Sequence, residues 1–223
     1  MNYLVVAAHP DDEVLGAGAT ISNLTSKLHN VAVVTMVNHA AARRNISDTL
    51  SQDQVNAMKI LGIKKLYTAD FPNIKMNTVP HLDLVQFIEK CIEAFQAEII
   101  ITHHPADLNI DHAVTSGAVQ AASRLFQRKQ GLPVLKNLMY MEVPSSTEWS
   151  LDASSNQFKA NTFVEIGEAG VKKKLEALHA YKGVMREYPH PRSEEGIRGL
   201  AAYRGSQSGC NYAEAFECVY RRM

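Results

Sequence analysis

Tyr3-Leu4-Val5-Val6-Ala7-Ala8-His9-Pro10-Asp11-Asp12-Glu13 opens the chain with an apolar run that meets an imidazole and two adjacent aspartates. A short, continuous apolar run reads as a parallel strand covered on both faces. Charge at the end of such a strand is accounted for by a bound cation. A second stretch repeats the pattern. The apolar run Ile99-Ile100-Ile101-Thr102 is followed by a second cluster, His104-Pro105-Ala106-Asp107-Leu108-Asn109-Ile110-Asp111-His112. Two acid-and-histidine loops after two strands point to one metal site assembled from both.

Working outward, strands are expected at Tyr3–Ala8, Val31–Val37, Lys64–Thr68, Ile99–Thr102 and Leu138–Val143. Helices are expected at Glu13–Leu28, Ser51–Leu61, Leu82–Phe95, Asp111–Gln127, Val171–Lys182 and Glu194–Tyr203. Gly62 is a C-terminal cap for the second helix, and Asp11 or Asp12 can cap the first. Pro144–Asn161 reads as a long polar excursion, and Arg204–Gly209 as a loop. Alternating strands and helices imply an α/β, Rossmann-like three-layer sandwich around a mostly parallel sheet. In the common doubly wound order the first and fourth strands are neighbours, and ligands bind beyond their carboxyl ends. Both clusters then meet in one crevice.

Composition agrees with one domain over residues 1–223 and narrows the partners. The chain has 223 residues and a formal charge of zero. It has no long basic run, which argues against nucleic-acid binding by phosphate neutralisation. No segment is long and apolar enough to span a bilayer, and the N-terminus lacks the basic start of a signal peptide. Cys91, Cys210 and Cys218 form no CxxC pair and read as reduced thiols, so a cytoplasmic protein is expected.

A catalytic zinc takes three protein ligands and leaves a position for water. His9, Asp12 and His112 fit that count, with one ion per chain. Iron or another divalent ion suits the same N/O donors. Zinc would lower the pKa of its water towards about 7, and Asp11, beside Asp12, is placed as general base. Such a site suits amide hydrolysis. Read singly, Asp11 and Asp12 are helix caps, His104 is a loop histidine, and Asp111-His112 is a helix-start acid with an exposed imidazole. Capping explains one acid, but not a pair of acids with His9.

Ala8-His9-Pro10-Asp11-Asp12-Glu13 with Gly16 resembles the signature of the zinc-dependent PIG-L or LmbE-like de-N-acetylases, and Asp111-His112 resembles the family's second metal motif. Ala57–Gly62 and Lys174–Tyr181 resemble further, less specific family patterns. The resemblance implies a Rossmann-like fold, His9, Asp12 and His112 as ligands, Asp11 as base, and removal of an acyl group from an amino sugar or its conjugate. One departure stands out. Members acting in low-molecular-weight thiol synthesis carry a histidine three residues before the last ligand, and this chain has Asn109 there, with Asp111 retaining the acid. Asparagine can donate a hydrogen bond to an oxyanion but supplies no proton. The acid is then Asp11 after protonation, or another group such as His190 in the stiff loop Pro189-His190-Pro191-Arg192. The alternative reading of His190 is an ordinary surface histidine.

For the substrate, Arg44 and Arg192 are candidate anion-binding residues, since guanidinium forks suit phosphate or carboxylate. The alternative pairs the arginines, including Arg198 and Arg204, with Glu187, Glu194, Glu195 and Glu214. Trp149 reads as a sugar platform or as a loop anchor. His29, His39, His81, His103 and His179 receive no role. The partner expected is a small-molecule amino sugar, and a homo-oligomer is compatible with the family resemblance and the polar excursion. Two other functions compete with N-deacetylation. One is zinc-dependent hydration of a small unsaturated dicarboxylic acid, a reaction some LmbE-like proteins perform. The other is a non-enzymatic nucleotide-binding module, which calls for a GxGxxG turn where this chain has His-Pro-Asp-Asp-Glu.

Overall fold

The structure, a computed structural model, describes residues 1–38, 49–151 and 156–223. Chain order is β1 (Asn2–Ala7), α1 (Asp12–Ser26), β2 (Asn30–Thr35), α2 (Leu50–Ile60), β3 (Lys65–Thr68), a 3-10 turn (Met76–Thr78), α3 (His81–Phe95), β4 (Ile99–His103), α4 (Ile110–Ala122), α5 (Leu125–Arg128), β5 (Asn137–Met141), β6 (Thr162–Glu165), α6 (Gly167–Ala180), α7 (Glu194–Ser208) and β7 (Ala213–Arg221). The seven strands form one sheet in the order β3-β2-β1-β4-β5-β7-β6. β1 pairs in parallel with β2 on one side and β4 on the other. The sheet is parallel from β3 through β5, and only β7 runs antiparallel to its neighbours.

Strand alternation divides the apolar residues between two cores. Val5, Ala7, Val33, Ile101 and Met139 pack with Leu15, Ile21, Met58, Leu175, Leu178 and Ile197. Leu4, Val6, Ala32, Val34, Ile100 and Leu138 face the other way, against Leu84, Ile88, Ala118 and Val119. Both faces of the sheet are thus covered by helices, which is why the central strands read as unbroken apolar runs. The architecture is the three-layer α/β sandwich with a mostly parallel sheet. β1 and β4 end side by side at the switch in strand order, the usual place for a ligand crevice.

Four elements depart from the sequence reading. The helix expected to Gln127 breaks after Ala122, where Ser123 Oγ bonds back to the Gln120 carbonyl (2.8 Å) and competes with the helical ladder. Arg204–Gly209 is not a loop: α7 continues to Ser208 and ends at Gly209 in a left-handed conformation (φ 79°). Gly205 sits within the helix because a Cβ there would meet Cys210 O at 2.6 Å. β6 and β7 were not anticipated. Among the described residues, no helix is long and apolar enough to cross a membrane.

Candidate metal centre and its cavity

His9, Pro10, Asp11 and Asp12 make a tight turn between β1 and α1, closed by a bond from Asp12 N to His9 O (3.4 Å). Proline second and a positive φ third is the pattern of a type II turn, whose third position ordinarily takes glycine. Asp11 occupies that position at φ 109°, ψ −30°. Holding a non-glycine residue there costs about 1–3 kcal/mol. The two adjacent carboxylates take different partners, Asp12 lying between His9 and His112 and Asp11 against Arg192. Neither side chain caps α1, contrary to the capping expectation. The Asp11 carbonyl instead starts the helix, accepting from Val14 N (3.1 Å) and Leu15 N (2.9 Å).

Asp12 Oδ2 lies 3.1 Å from His9 Nδ1 and 3.1 Å from His112 Nε2. The far side of each ring is fixed by another aspartate. His9 Nε2 donates to Asp111 Oδ2 (3.0 Å), and His112 Nδ1 lies 3.1 Å from Asp107 Oδ1. Carboxylates bonded to the outer nitrogens set both tautomers, so the inner nitrogens present lone pairs to the same spot. His112 Nε2 is buried and has no hydrogen-bond partner despite the nearby carboxylate oxygen. Two groups that converge without bonding to each other are placed as co-ligands. The donor atoms of His9, Asp12 and His112 lie within 4.8 Å of one another. A four-coordinate zinc with bonds near 2.0–2.1 Å separates its ligand atoms by about 3.3 Å. The spacing, the donor types and the orphaned nitrogen all fit a divalent cation.

The electrostatics point the same way. Burial works against a charged His9, but hydrogen bonds to Asp111 and Asp12 more than offset it and raise its pKa to about 9. For His112, burial is again outweighed, by the charge of Asp12 and by the Asp107 carboxylate at its outer nitrogen, and the value rises to about 10. A site that attracts protons so strongly attracts a divalent ion for the same reason. Burial pushes Asp11 up to about 6, against the pull of the Arg192 guanidinium.

The second motif is anchored from several sides. Asn109 caps α4, its side-chain oxygen accepting from Asp111 N (3.0 Å). Asp111 also accepts from Ile74 N (2.6 Å) and Met76 N (3.0 Å), which ties the 3-10 turn region to the site. Asp107 accepts from Asn109 N (2.9 Å) and Thr147 Oγ1 (2.9 Å), and closely from Ser146 Oγ. His103 lies beneath, stacked on His112 at 3.8 Å. Its Nε2 accepts from Ala8 N (2.8 Å), and burial lowers its pKa to about 3 and keeps it neutral. Asp107 stands inside the second cluster but was given no role of its own in the sequence, His103 was given none, and Ser146 and Thr147 were missed.

A cavity of about 460 Å³ opens above these groups. His9, Asp11, Asp12, Asn109 and His112 form its polar floor; Ile74, Leu108, Ile110 and Trp149 form an apolar wall; Lys182 and Arg192 supply positive charge. Arg192 Nη1 reaches Asp11 Oδ2 (3.3 Å) while its Nε donates to Ser145 Oγ (2.6 Å). His190 does not line the cavity. It packs edge-on against Trp149 (5.5 Å), and its Nδ1 accepts from Arg192 N (3.1 Å), which places it one layer back. Arg44 lies outside the described residues. Arg198 and Arg204 are paired, though with Glu168 and Glu142 rather than the acids expected. His104 faces Glu217 (3.4 Å) and takes no part in the cavity.

Residues 4–123 match the family model described as PIG-L: GlcNAc-PI de-N-acetylase. An uncharacterised deacetylase of Escherichia coli (strain K12), YaiS, is 27% identical over 187 residues, covering 80% of this chain and 89% of the other. Two solved structures share the fold. The N,N'-diacetylchitobiose deacetylase from Pyrococcus horikoshii has a TM-score of 0.80 at 19% identity, over 98% of this chain and 83% of that one. GalB, the 4-carboxy-2-hydroxymuconate hydratase from Pseudomonas putida KT2440, has a TM-score of 0.80 at 21% identity, over 100% and 97%.

Proposed function

The chain belongs to the PIG-L family of GlcNAc-PI de-N-acetylases, and from that premise we propose that it is a zinc-dependent hydrolase removing an N-acetyl group from an amino sugar or its conjugate. The observation that carries this reading is the convergence of His9 Nδ1, Asp12 Oδ2 and His112 Nε2, with each imidazole held from behind by an aspartate. When bound there, the ion supplies an acidified water and polarises the acetyl carbonyl. The rest falls to the protein. Asp11, at the cavity floor, accepts the proton of the attacking water as the carbon–oxygen bond forms. It returns that proton to the sugar nitrogen as the carbon–nitrogen bond breaks, leaving acetate and a free amine.

Asp111 keeps His9 in its ligating tautomer. Asn109 spends its carbonyl oxygen on the α4 cap, which leaves its amide hydrogens as the donors available to an oxyanion. Arg192 and Lys182 favour a substrate bearing phosphate or carboxylate beside the sugar, with Arg44 a further candidate for that contact. His190 serves this site by supporting Arg192 and Trp149. A second reading is hydration of a small unsaturated dicarboxylic acid, favoured by the same two cations and by the shared fold with a hydratase. Zinc-loaded protein should release acetate from N-acetylated amino sugars, and a chelator should stop it. Acetate release undiminished by chelation, or ultraviolet loss of an enoate without acetate release, would count against the deacetylase reading.

A further inference from the structure

Glu13 carries a carboxyl group with no solvent exposure, and neither the proposed metal binding nor the proposed proton transfer uses it. Its two oxygens are divided between two partners. Oε2 accepts from Asp11 N (3.1 Å), and Oε1 accepts from Tyr181 Oη (2.6 Å). Tyr181 is itself 1% exposed and stands at the end of α6. The next residue is tied down as well, Lys182 N donating to Asp53 Oδ2 (3.1 Å). A chain of contacts therefore runs from the end of α6 through Tyr181 and Glu13 to the backbone of Asp11. An apolar side chain at position 13 would fill this space without burying a carboxyl group. It could not accept the Asp11 N–H, which meets the buried Glu13 Oε2 at 3.1 Å.

We infer that Glu13 and Tyr181 are positioning residues that hold Asp11 in its strained turn, so that its carboxylate faces the cavity rather than relaxing away from it. Glu13 grips the backbone from beneath, and Arg192 steadies the carboxylate from above (3.3 Å). Neither Glu13 nor Tyr181 lines the cavity; the hydrogen bond that links them to the site is the one from Asp11 N to Glu13 Oε2. The inference rests on Asp11 being the proton-transfer group.

The test compares kcat, KM and zinc content in Asp11→Asn, Tyr181→Phe, Glu13→Ala and Glu13→Gln proteins, using the N-acetylated substrate turned over best by the wild type. Tyr181→Phe and Glu13→Ala should lose tenfold or more in kcat while KM and zinc stoichiometry stay within about twofold. Glu13→Gln should recover most of the loss, because its amide oxygen can still accept the Asp11 N–H. If Glu13→Ala fails to fold, Tyr181→Phe, which removes one oxygen, decides with Glu13→Gln. The brace is overturned if Tyr181→Phe turns over at the wild-type rate, if Glu13→Gln is no better than Glu13→Ala, or if the loss appears as zinc depletion or raised KM. Full turnover by Asp11→Asn would instead sink the role given to Asp11, and the brace with it.

Discussion

At the scale of single residues, the proposed site is a set of aspartates in separate positions. Asp12 faces the shared ligand spot, Asp107 and Asp111 orient the imidazoles, and Asp11 faces the cavity. Removing Asp11's carboxylate without changing its shape, as in Asp11→Asn, should lower kcat by roughly 10²–10⁴ with zinc content unchanged. Asp11→Gly makes the complementary point. Glycine adopts φ 109° without strain, so the urea midpoint should be no lower than wild type although turnover is lost. A lower midpoint would show that the carboxylate's contacts outweigh the backbone strain. Asp107→Ala acts through His112 and should weaken zinc affinity by about 10–100-fold, read by competition with a chromogenic chelator. Affinity equal to wild type would remove Asp107 from the account.

At the scale of elements, what could be read in advance follows from how each element is buried. β1, β2 and β4 are covered on both faces and announce themselves as apolar runs. The candidate ligands His9, Asp12 and His112 could be picked out because they lie in the segments that come after two such strands. β7 was hidden because Glu214 occupies an inward position, where Lys174 Nζ (2.7 Å) and the N–H groups of Ala19 and Thr20 neutralise it. A charge in the core spoils the alternation that marks a strand. The end of α7 was hidden because glycine there serves close packing rather than a turn. Gly205→Ala should therefore destabilise the fold by about 1–3 kcal/mol, since its Cβ would meet the backbone at Cys210 and Asn211. An unchanged urea midpoint would contradict that packing. Asp107 and Tyr181 escaped for a different reason: their partners are fixed by tertiary geometry that local spacing does not encode.

At the scale of the whole molecule, two cores and one sheet bring loops about a hundred residues apart to a common crevice, and pH should reveal the charge concentrated there. The chelated protein holds protons on His9 and His112 up to about 9 and 10, whereas an unfolded chain releases them near its ordinary value of about 6.5. Raised values mean that this contribution to stability is complete below about pH 6.5 and is lost as pH climbs towards 10. Glu13, which burial lifts to about 8, acts in the same direction at lower pH. The melting temperature of chelated protein should therefore fall steadily across that range. In zinc-loaded protein the imidazoles would be held in their neutral form, with no second proton to release, and the slope should flatten. A chelated protein whose stability rises over the same range would contradict the proposed charge balance.

The central claim is that two distant motifs hold one cation between them, and anomalous diffraction at the zinc edge from crystals of zinc-loaded protein tests it most directly. The account predicts a single strong peak about 2 Å from His9 Nδ1, an Asp12 carboxylate oxygen and His112 Nε2. A peak among His103, Asp107 and His112 instead, or no peak in the crevice at full zinc loading, would contradict it.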